Sequence, residues 1–277
     1  MQRALLYQIG HRSKTGGADV FDRLTQEILL AEELGFESVW CLPEAGEAGD
    51  FRLGTPEFWL AGLAAKTSKI RLGCGLAGLT PPDSPPIRSA EKLASLDLTC
   101  AGRLDLALLP NWNADPESNS PTWDEGFRML IGMWEEPRFS WTSERFTVPS
   151  VDVLPKPVQK PHPPISLVGW SLDHAKRAGS AGLGFLDVSG GVDDALEMHR
   201  DAYVEARSNA EPDDLVCVSI YAAVLGDERV SEMSSRLETW SSLGFDQAVL
   251  QVESNVEDAQ RTRGKIRLMA GEFSDIH

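Results

Sequence analysis

A glycine and a serine, separated by one residue, lie where a predicted strand ends and a predicted helix starts. Gly169, Trp170 and Ser171 follow the strand, and Asp173 and His174 open the helix. Backbone N–H groups at a helix N-terminus, together with a hydroxyl, bind phosphate groups. The alternative is an ordinary helix N-cap by Ser171 or Asp173. The pattern therefore predicts an anion site or a helix cap here.

The cysteines and histidines show no spacing that is typical of a metal site. They are Cys41, Cys74, Cys100, Cys217, His11, His162, His174, His199 and His277. None of them forms a C-x-x-C, H-E-x-x-H or H-x-H pattern. We expect no bound metal. Because no signal-peptide pattern opens the chain, we also expect reduced thiols and a cytoplasmic location.

The charge balance limits the kinds of partner. The chain has 42 acidic and 26 basic residues, a formal net charge of −16. Nucleic acid and anionic membrane surfaces repel such a protein. The first apolar run is also too short to span a bilayer. We therefore expect neither nucleic acid nor a membrane as partner, whereas a small anionic ligand in a local site stays compatible with this charge.

Short apolar runs alternate with longer segments of helical periodicity. The runs are Ala4–Ile9, Ser38–Leu42, Ile70–Leu76, Leu104–Leu109, Ile165–Val168, Phe185–Val188, Val216–Leu225 and Ala248–Val252. The helical segments are Val20–Leu34, Phe58–Lys66, Ala90–Leu98, Trp123–Trp134, Asp173–Ala181, Ala195–Ala206, Val230–Leu243 and Val256–Met269. This alternation predicts an α/β fold, a (β/α)₈ TIM barrel with a single domain over residues 1–277. An open doubly wound sheet is the alternative, but no G-x-G-x-x-G follows the first run.

A proline-rich segment interrupts the alternation after the fourth run. Residues 137–164 contain seven prolines, which exclude regular helix and central strand. We interpret this segment as an insertion loop of about residues 137–164 that passes over the barrel mouth. Long loops of this kind are often lids or binding loops. A plain surface crossover is the alternative.

Five segments in order resemble the luciferase-like flavin-dependent monooxygenases. They are LAEELGFESVWCLPE (30–44), TSKIRLGCGLAGL (67–79), PPIRSAEKLASLDLTCAGRLDLAL (85–108), WDEGFRMLIGMW (123–134) and VLPKPVQKPHPPISLVGWS (153–171). The resemblance is weaker after about residue 190. It implies a TIM barrel, often dimeric, with reduced FMN or a deazaflavin at the carboxyl ends of the strands. Catalytic groups of such barrels lie on the loops that follow the strands.

The resemblance places acid–base chemistry after the second strand, where the family usually has histidines behind a Pro-Glu pair. Glu44 is present here, but Ala45 and Gly46 occupy the histidine positions. Histidine is the side chain best suited to proton transfer near neutral pH. We therefore expect Glu44 at the end of the second strand, or His11 after the first strand, to take this role. The alternatives are a structural acceptor for Glu44 and a surface position for His11.

The third and fourth strands are expected to contribute the remaining pocket. The resemblance places Cys74, Gly75 and Leu76 against one face of the flavin ring, and a non-prolyl cis bond between Cys74 and Gly75 is a further hypothesis. Cys74 itself is interpreted as a small core residue rather than a nucleophile. After the fourth strand, Asn111 and Trp112 take pocket positions. Trp112 either stacks on a ring or plugs the barrel.

The phosphate end of the cofactor is expected at the fifth strand. The resemblance assigns the flavin phosphate to Ser171, with Gly169 and Trp170 before it and His174 at the position of a threonine. Luciferases also hold this phosphate with an arginine, and Pro110 occupies that position here. This chain therefore lacks a cation that the family pattern has at this position.

Three functional hypotheses follow. The first is a two-component monooxygenase that uses FMNH₂ from a separate flavin reductase, with O₂ and a small organic molecule as substrates. The second is a deazaflavin-dependent hydride-transfer oxidoreductase. The third is a non-catalytic, degenerate or flavin-binding relative, which the substitutions at Ala45, Gly46 and Pro110 favour. The resemblance also implies a homodimer formed through the early helices Val20–Leu34 and Phe58–Lys66.

Overall fold

Strands and helices alternate along almost the whole chain. The structure is a computed structural model and describes residues 1–9, 17–43, 56–77, 86–109, 116–190, 193–210, 221–225, 230–252 and 259–271. The elements are β1 (Gln2–Ile9), α1 (Gly17–Glu33), β2 (Ser38–Pro43), α2 (Pro56–Ala64), β3 (Arg71–Ala77), α3 (Pro86–Thr99), β4 (Leu104–Leu109), α4 (Pro116–Glu135), β5 (Phe139–Thr142), β6 (Thr147–Val151), β7 (Ile165–Gly169), α5 (Leu172–Ser180), β8 (Gly184–Asp187), α6 (Asp193–Ser208), β9 (Tyr221–Leu225), α7 (Val230–Leu243), β10 (Gln247–Val252) and α8 (Ala259–Met269).

Parallel strands surround a common axis. Within the described residues they pair in the closed order β1-β10-β9-β8-β7-β4-β3-β2. The barrel closes because β1 pairs with β10 from Gln2↔Gln247 onward and with β2 up to Ile9↔Pro43. Each pair of consecutive barrel strands is joined through a helix, as a parallel connection requires. The predicted α/β fold is confirmed.

The strands are buried on both faces, which explains why they read as continuous apolar runs. All six residues of β4 are buried. One apolar cluster fills the barrel interior and consists of Ala4, Leu6, Trp40, Leu42, Ala107, Leu109, Val168, Leu186 and Val249. A larger cluster lies between the sheet and the helices and includes Tyr7, Cys74, Leu106 and Phe185. Alternate residues of each strand therefore face the interior and the helices.

The proline-rich segment has a different position from the one predicted. It contains an antiparallel hairpin, β5–β6, and then runs to the start of β7. Gln159 Nε2 donates to the carbonyl of Leu104, the first residue of β4, and Gln159 Oε1 accepts from Arg71, the first residue of β3. The segment therefore lies at the amino ends of the strands. The prediction of a loop over the mouth is wrong, because α4 has already returned the chain to the amino end before residue 137.

The boundaries of the predicted runs agree with the strands to within about two residues where both are described. The run Val216–Leu225 overlaps β9 in Tyr221–Leu225, and residues 211–220 lie outside the described part. In that described part, no helix is long and apolar enough to cross a membrane.

Candidate functional site at the start of helix α5

The carboxyl end of β7 leads directly into the N-terminus of α5. Ser171 is the N-cap, with extended φ/ψ of −143°/161°, and its Oγ accepts a hydrogen bond from the backbone N–H of His174 at 3.4 Å. The helix-cap interpretation is confirmed. The N–H groups of Leu172 and Asp173 belong to the first turn, where a helix offers no internal acceptor. This end of α5 therefore has the donors and the dipole of an anion site.

The His174 side chain makes several contacts at this helix start. Its Nδ1 lies 3.0 Å from Ser171 Oγ and 3.5 Å from the backbone nitrogen of Trp170. The two rings of Trp170 and His174 contact edge to face with centroids 4.5 Å apart. A Cβ on Gly169 would lie 2.5 Å from His174 Cβ, so only glycine allows His174 to pack over the end of β7.

The surroundings of His174 favour the neutral imidazole. Burial lowers its pKa, and the nearby guanidinium of Arg177 lowers it further, as does His199. The carboxylates of Asp173 and Asp187 act in the opposite direction but do not outweigh burial. The net result is a pKa below that of an exposed histidine, and the group is neutral at pH 7.

A buried acid–histidine pair lies beside this helix start, and the sequence reasoning missed it. Asp187 ends β8 and is fully buried, and its Oδ2 lies 2.8 Å from Nδ1 of His199 on α6. Its Oδ1 accepts from the N–H of Ser189 at 2.9 Å. The available signal was an acidic residue inside the apolar run Phe185–Val188, since a buried carboxylate needs partners.

The third strand meets the expectations only in part. Cys74 and Leu76 face the helices and belong to the outer apolar cluster, whereas Gly73 and Gly75 face the interior. A Cβ on Gly75 would lie 2.6 Å from Pro43 Cδ, so the close approach of β2 already accounts for this glycine. Burial raises the pKa of the Cys74 thiol far above its usual range, with a further contribution from Glu57. Cys74 is therefore an unreactive core residue.

The hypothesis of a cis bond between Cys74 and Gly75 is wrong. In the described part of the chain, the cis peptide bonds precede Pro155 and Pro161. Any contact of this strand with a cofactor ring must therefore be made through an ordinary trans backbone.

Four predicted site residues, His11, Glu44, Asn111 and Trp112, lie outside the described residues. The strands that precede His11 and Glu44 are neighbours, because Ile9 of β1 pairs with Pro43 of β2. This register brings the ends of those two strands together at the carboxyl side of the barrel. Ala45, Gly46 and Pro110 are also outside the described residues.

A cavity of about 510 Å³ lies at the opposite end of the barrel. Its lining includes Gln2, Trp40, Arg71, Asp105 and Gln247, which all lie within the first three residues of their strands. It is therefore separate from the helix start of α5. Among the described residues, no group of three or more His, Cys, Asp and Glu side chains is arranged to hold a metal ion.

Sequence relatives support a flavin-type chemistry in the family. The family model for luciferase-like monooxygenases matches residues 1–273. A luciferase-like monooxygenase of Escherichia coli (strain K12) is 29% identical over 204 residues, which are 70% of this chain and 58% of that protein. An FMNH(2)-dependent dimethylsulfone monooxygenase of Pseudomonas putida is 27% identical over 120 residues, 39% of this chain and 32% of that protein. The matched part thus spans little more than half of the first of these relatives.

Solved structures share the fold over nearly the full chain. The oxygenating constituent of 3,6-diketocamphane monooxygenase from Pseudomonas putida, in complex with FMN, superposes with a TM-score of 0.78 at 14% identity, covering 98% of this chain and 97% of that one. An F420-dependent secondary alcohol dehydrogenase superposes with a TM-score of 0.74 at 14% identity, covering 99% of each chain. At this identity the likeness concerns the fold. The family-model match over residues 1–273 places the chain in the luciferase-like monooxygenase family.

Proposed function

We propose that this chain is a flavin-dependent oxidoreductase, a two-component monooxygenase that uses reduced FMN and O₂ on a small organic substrate. A separate flavin reductase supplies the FMNH₂. The barrel forms one catalytic domain over residues 1–277, and the cofactor lies at the carboxyl ends of its strands, where such barrels hold their active sites.

The observation that carries the proposal is the start of α5. The hydroxyl of Ser171, the first-turn N–H groups and the helix dipole point to the same place at the carboxyl edge of β7. This donor set suits a phosphate monoester. Gly169 and Trp170 bring the chain to this position, and His174 stands at its side. Without an arginine at Pro110, affinity for oxidised FMN is expected to be modest, because a charge-assisted contact is missing.

The bound reduced flavin supplies the electrons for the reaction with O₂, and the protein supplies position and proton transfer. Glu44 or His11 is the proposed acid–base group, since β1 and β2 end beside each other. A carboxyl in an apolar pocket has a raised pKa and can exchange a proton near pH 7. Asn111 and Trp112 are proposed to contact substrate or ring, and the backbone at Cys74, Gly75 and Leu76 to border the ring.

A deazaflavin-dependent hydride transfer is the second candidate. One observation favours it: an F420-dependent dehydrogenase shares the fold over 99% of the chain. The two candidates differ in whether O₂ takes part. A non-catalytic flavin-binding protein is the third candidate. It is expected if the substitutions at Ala45 and Gly46 have removed proton transfer altogether.

The test is an anaerobic titration of the purified protein with FMN, FMNH₂ and a deazaflavin, followed by mixing with O₂. The proposal expects tightest binding of FMNH₂ and a transient absorbance, on mixing with O₂, that differs from both free reduced and free oxidised flavin. Exclusive binding of the deazaflavin, with no response to O₂, would establish the second candidate. Binding of flavin without any O₂ response would support the non-catalytic one.

We further propose a homodimer formed through the early helices. Phe58 lies on the outer side of α2 and is 81% exposed. Ala61, Gly62 and Ala65 follow it at helical spacing, and Ala65 is the first residue after the helix. A large aromatic next to small residues is typical of a surface that packs against another helix. Light scattering is expected to give twice the 30.3 kDa chain mass, and Phe58→Asp is expected to give the monomer mass. A monomeric wild-type protein would contradict the proposal.

A further inference from the structure

We infer that His174 makes phosphate binding at the start of α5 proton-linked: the imidazole is neutral in the free protein and becomes an imidazolium that pairs with the bound phosphate. In this way a titrating cation on α5 replaces the arginine that is absent at Pro110. The inference rests on the proposed function, because it assumes that the anion held there is the phosphate of a flavin mononucleotide.

The first support is the direction of the hydrogen bonds at Nδ1 of His174. The backbone N–H of Trp170, 3.5 Å away, can only donate. The hydroxyl of Ser171, 3.0 Å away, donates or accepts. Nδ1 therefore accepts in the free protein, which places the imidazole proton on Nε2. A proton on Nδ1 would face the Trp170 N–H, so the free site favours the neutral ring.

The second support is that the ring is fixed next to the phosphate donors. Gly169 allows the His174 Cβ to lie against the end of β7, and the Trp170 ring contacts the imidazole edge to face. The same hydroxyl, Ser171 Oγ, contacts both the His174 N–H and the His174 ring. In the free protein the single hydroxyl proton of Ser171 is donated to Nδ1, so Ser171 can donate to an anion only when Nδ1 is itself protonated and donates to Ser171 Oγ. An anion held by Ser171 would then lie within a few ångströms of the imidazolium.

The third support is the balance of charges around the ring. Asp173 and Arg177 act from α5, His199 acts from α6, and Asp187 acts from β8. In the free protein, burial and Arg177 hold the pKa of His174 below its ordinary value. A phosphate dianion adds two negative charges at close range, and an opposite charge within about 4–6 Å favours the charged form of a group. Binding is therefore expected to raise this pKa and to take up a proton.

The test is calorimetric titration with FMN at pH 7, in a series of buffers with different ionisation enthalpies and without inorganic phosphate. The dependence of the measured heat on the buffer gives the number of protons taken up per FMN. The matched variant is His174→Asn, whose side-chain oxygen keeps an acceptor near the place of Nδ1 but does not titrate. Since any proton change on the FMN phosphate occurs in both proteins, the difference between them isolates His174.

We expect the wild type to take up more protons than His174→Asn, with a difference of up to one proton per site, and to bind FMN more tightly at pH 6.5 than at pH 8. Equal proton uptake by the two proteins would overturn the inference while leaving the proposed function intact. Failure of the wild type to bind FMN or FMNH₂ would overturn both.

A second readout keeps the inference testable if the variant does not fold. The wild-type protein with ¹⁵N-labelled histidine reports the protonation of each ring nitrogen directly in NMR spectra. The free protein is expected to show His174 as the neutral Nε2–H tautomer at pH 7, and the FMN complex is expected to show both nitrogens protonated. A His174 spectrum that does not change on FMN binding would contradict the inference.

Discussion

The indole of Trp40 covers Gly73 on the neighbouring strand so closely that a Cβ on Gly73 would lie 2.2 Å from Trp40 Cε3. The two residues are direct partners in the β2–β3 register. A hydrogen bond from Trp40 Nε1 to Gln247 Oε1, at 3.3 Å, ties the indole to β10, the strand on the other side of β1. The ring therefore lies inside the barrel between β3 and β10, and glycine is the residue that leaves room for it.

Gly73→Ala is expected to destabilise the protein by about 1–3 kcal/mol, because the rigid indole must move or break its hydrogen bond to Gln247. Urea unfolding followed by circular dichroism measures the change. Trp40→Leu combined with Gly73→Ala serves as the matched control. The double variant is expected to lose less than the sum of the two single variants. Simple additivity would show that the ring does not oppose the added methyl.

The fold was predictable because parallel barrel strands are buried on both faces and therefore appear as short, continuous apolar runs. β2 and β4 match their predicted runs within one residue. The position of residues 137–164 at the amino end of the barrel could also have been predicted from the sequence. A helix after β4 returns the chain to the amino end of the barrel, so whatever follows that helix begins there.

The site was predictable only where neighbours in sequence form it. Ser171 and His174 are three residues apart, and a hydroxyl before a helix is a reliable cap signal. Asp187 and His199 meet because α6 packs against the end of β8, which no local pattern specifies. The prediction that Cys74 is a small core residue is confirmed. The approach of Trp40 to Gly73 depends on the register of β2 and β3, which no local pattern specifies.

The ion pair of Arg71 and Asp105 offers a prediction at the amino end of the barrel. Arg71 Nη2 lies 2.7 Å from Asp105 Oδ1, and the Asp105 side chain is 10% exposed. Burial raises the pKa of Asp105 even though the Arg71 hydrogen bonds and charge lower it. Arg71→Met is therefore expected to cost about 3 kcal/mol of the free energy of unfolding, because it leaves a buried carboxylate unpaired.

Two controls separate the unpaired charge from lost packing in Arg71→Met. The double variant Arg71→Met/Asp105→Leu loses the same arginine contacts, yet it is expected to be more stable than the single variant. The single variant should also gain stability as the pH falls toward 5, because a folded-state pKa above the unfolded one means that the folded protein binds the proton. A double variant no more stable than the single one would show that packing dominates.

The carboxylate of Glu32 predicts a contribution to acid stability. Its Oε1 accepts hydrogen bonds from the N–H groups of Ser68, Lys69 and Ile70 at 2.8, 2.6 and 2.9 Å. Burial raises the pKa of Glu32, but these three bonds and Arg103 lower it by more, so the net pKa lies below its usual value. The stabilisation is then present above the unfolded-state pKa and is lost as the pH falls through the folded one.

Glu32→Gln is therefore expected to flatten the loss of stability between about pH 5 and pH 3. Urea midpoints measured across this range provide the test. Glu33→Gln is the matched control, because Glu33 is the next residue of α1 and its side chain is exposed. The same pH dependence in both variants would show that the Glu32 contacts contribute nothing.

Glu44→Gln tests the proposed acid–base group. General acid–base help is typically worth about 10²–10⁴ in rate, so turnover is expected to fall by about that factor while affinity for FMNH₂ stays nearly unchanged. His11→Ala tests the alternative group in the same assay, and Glu33→Gln controls for the general loss of a carboxylate. Full activity in both Glu44→Gln and His11→Ala would remove the acid–base role from these two residues.

The charges in the first turn of α5 give the most direct prediction about cofactor binding. Ser171→Asp keeps a side chain that caps helices well but places a carboxylate where the phosphate is proposed to bind, so FMN binding is expected to disappear. Ser171→Asn keeps the cap without the charge and is expected to weaken binding only modestly. Asp173→Asn removes an exposed carboxylate from the same turn and is expected to strengthen binding about two- to fivefold, matching roughly 0.3–1 kcal/mol for a charge at a helix terminus.

Fluorescence titration with FMN at low ionic strength measures all three affinities, and added salt should reduce the differences. Equal affinity in Ser171→Asp and Ser171→Asn would place the phosphate elsewhere, because a carboxylate at the N-cap cannot share the first-turn N–H groups with a dianion.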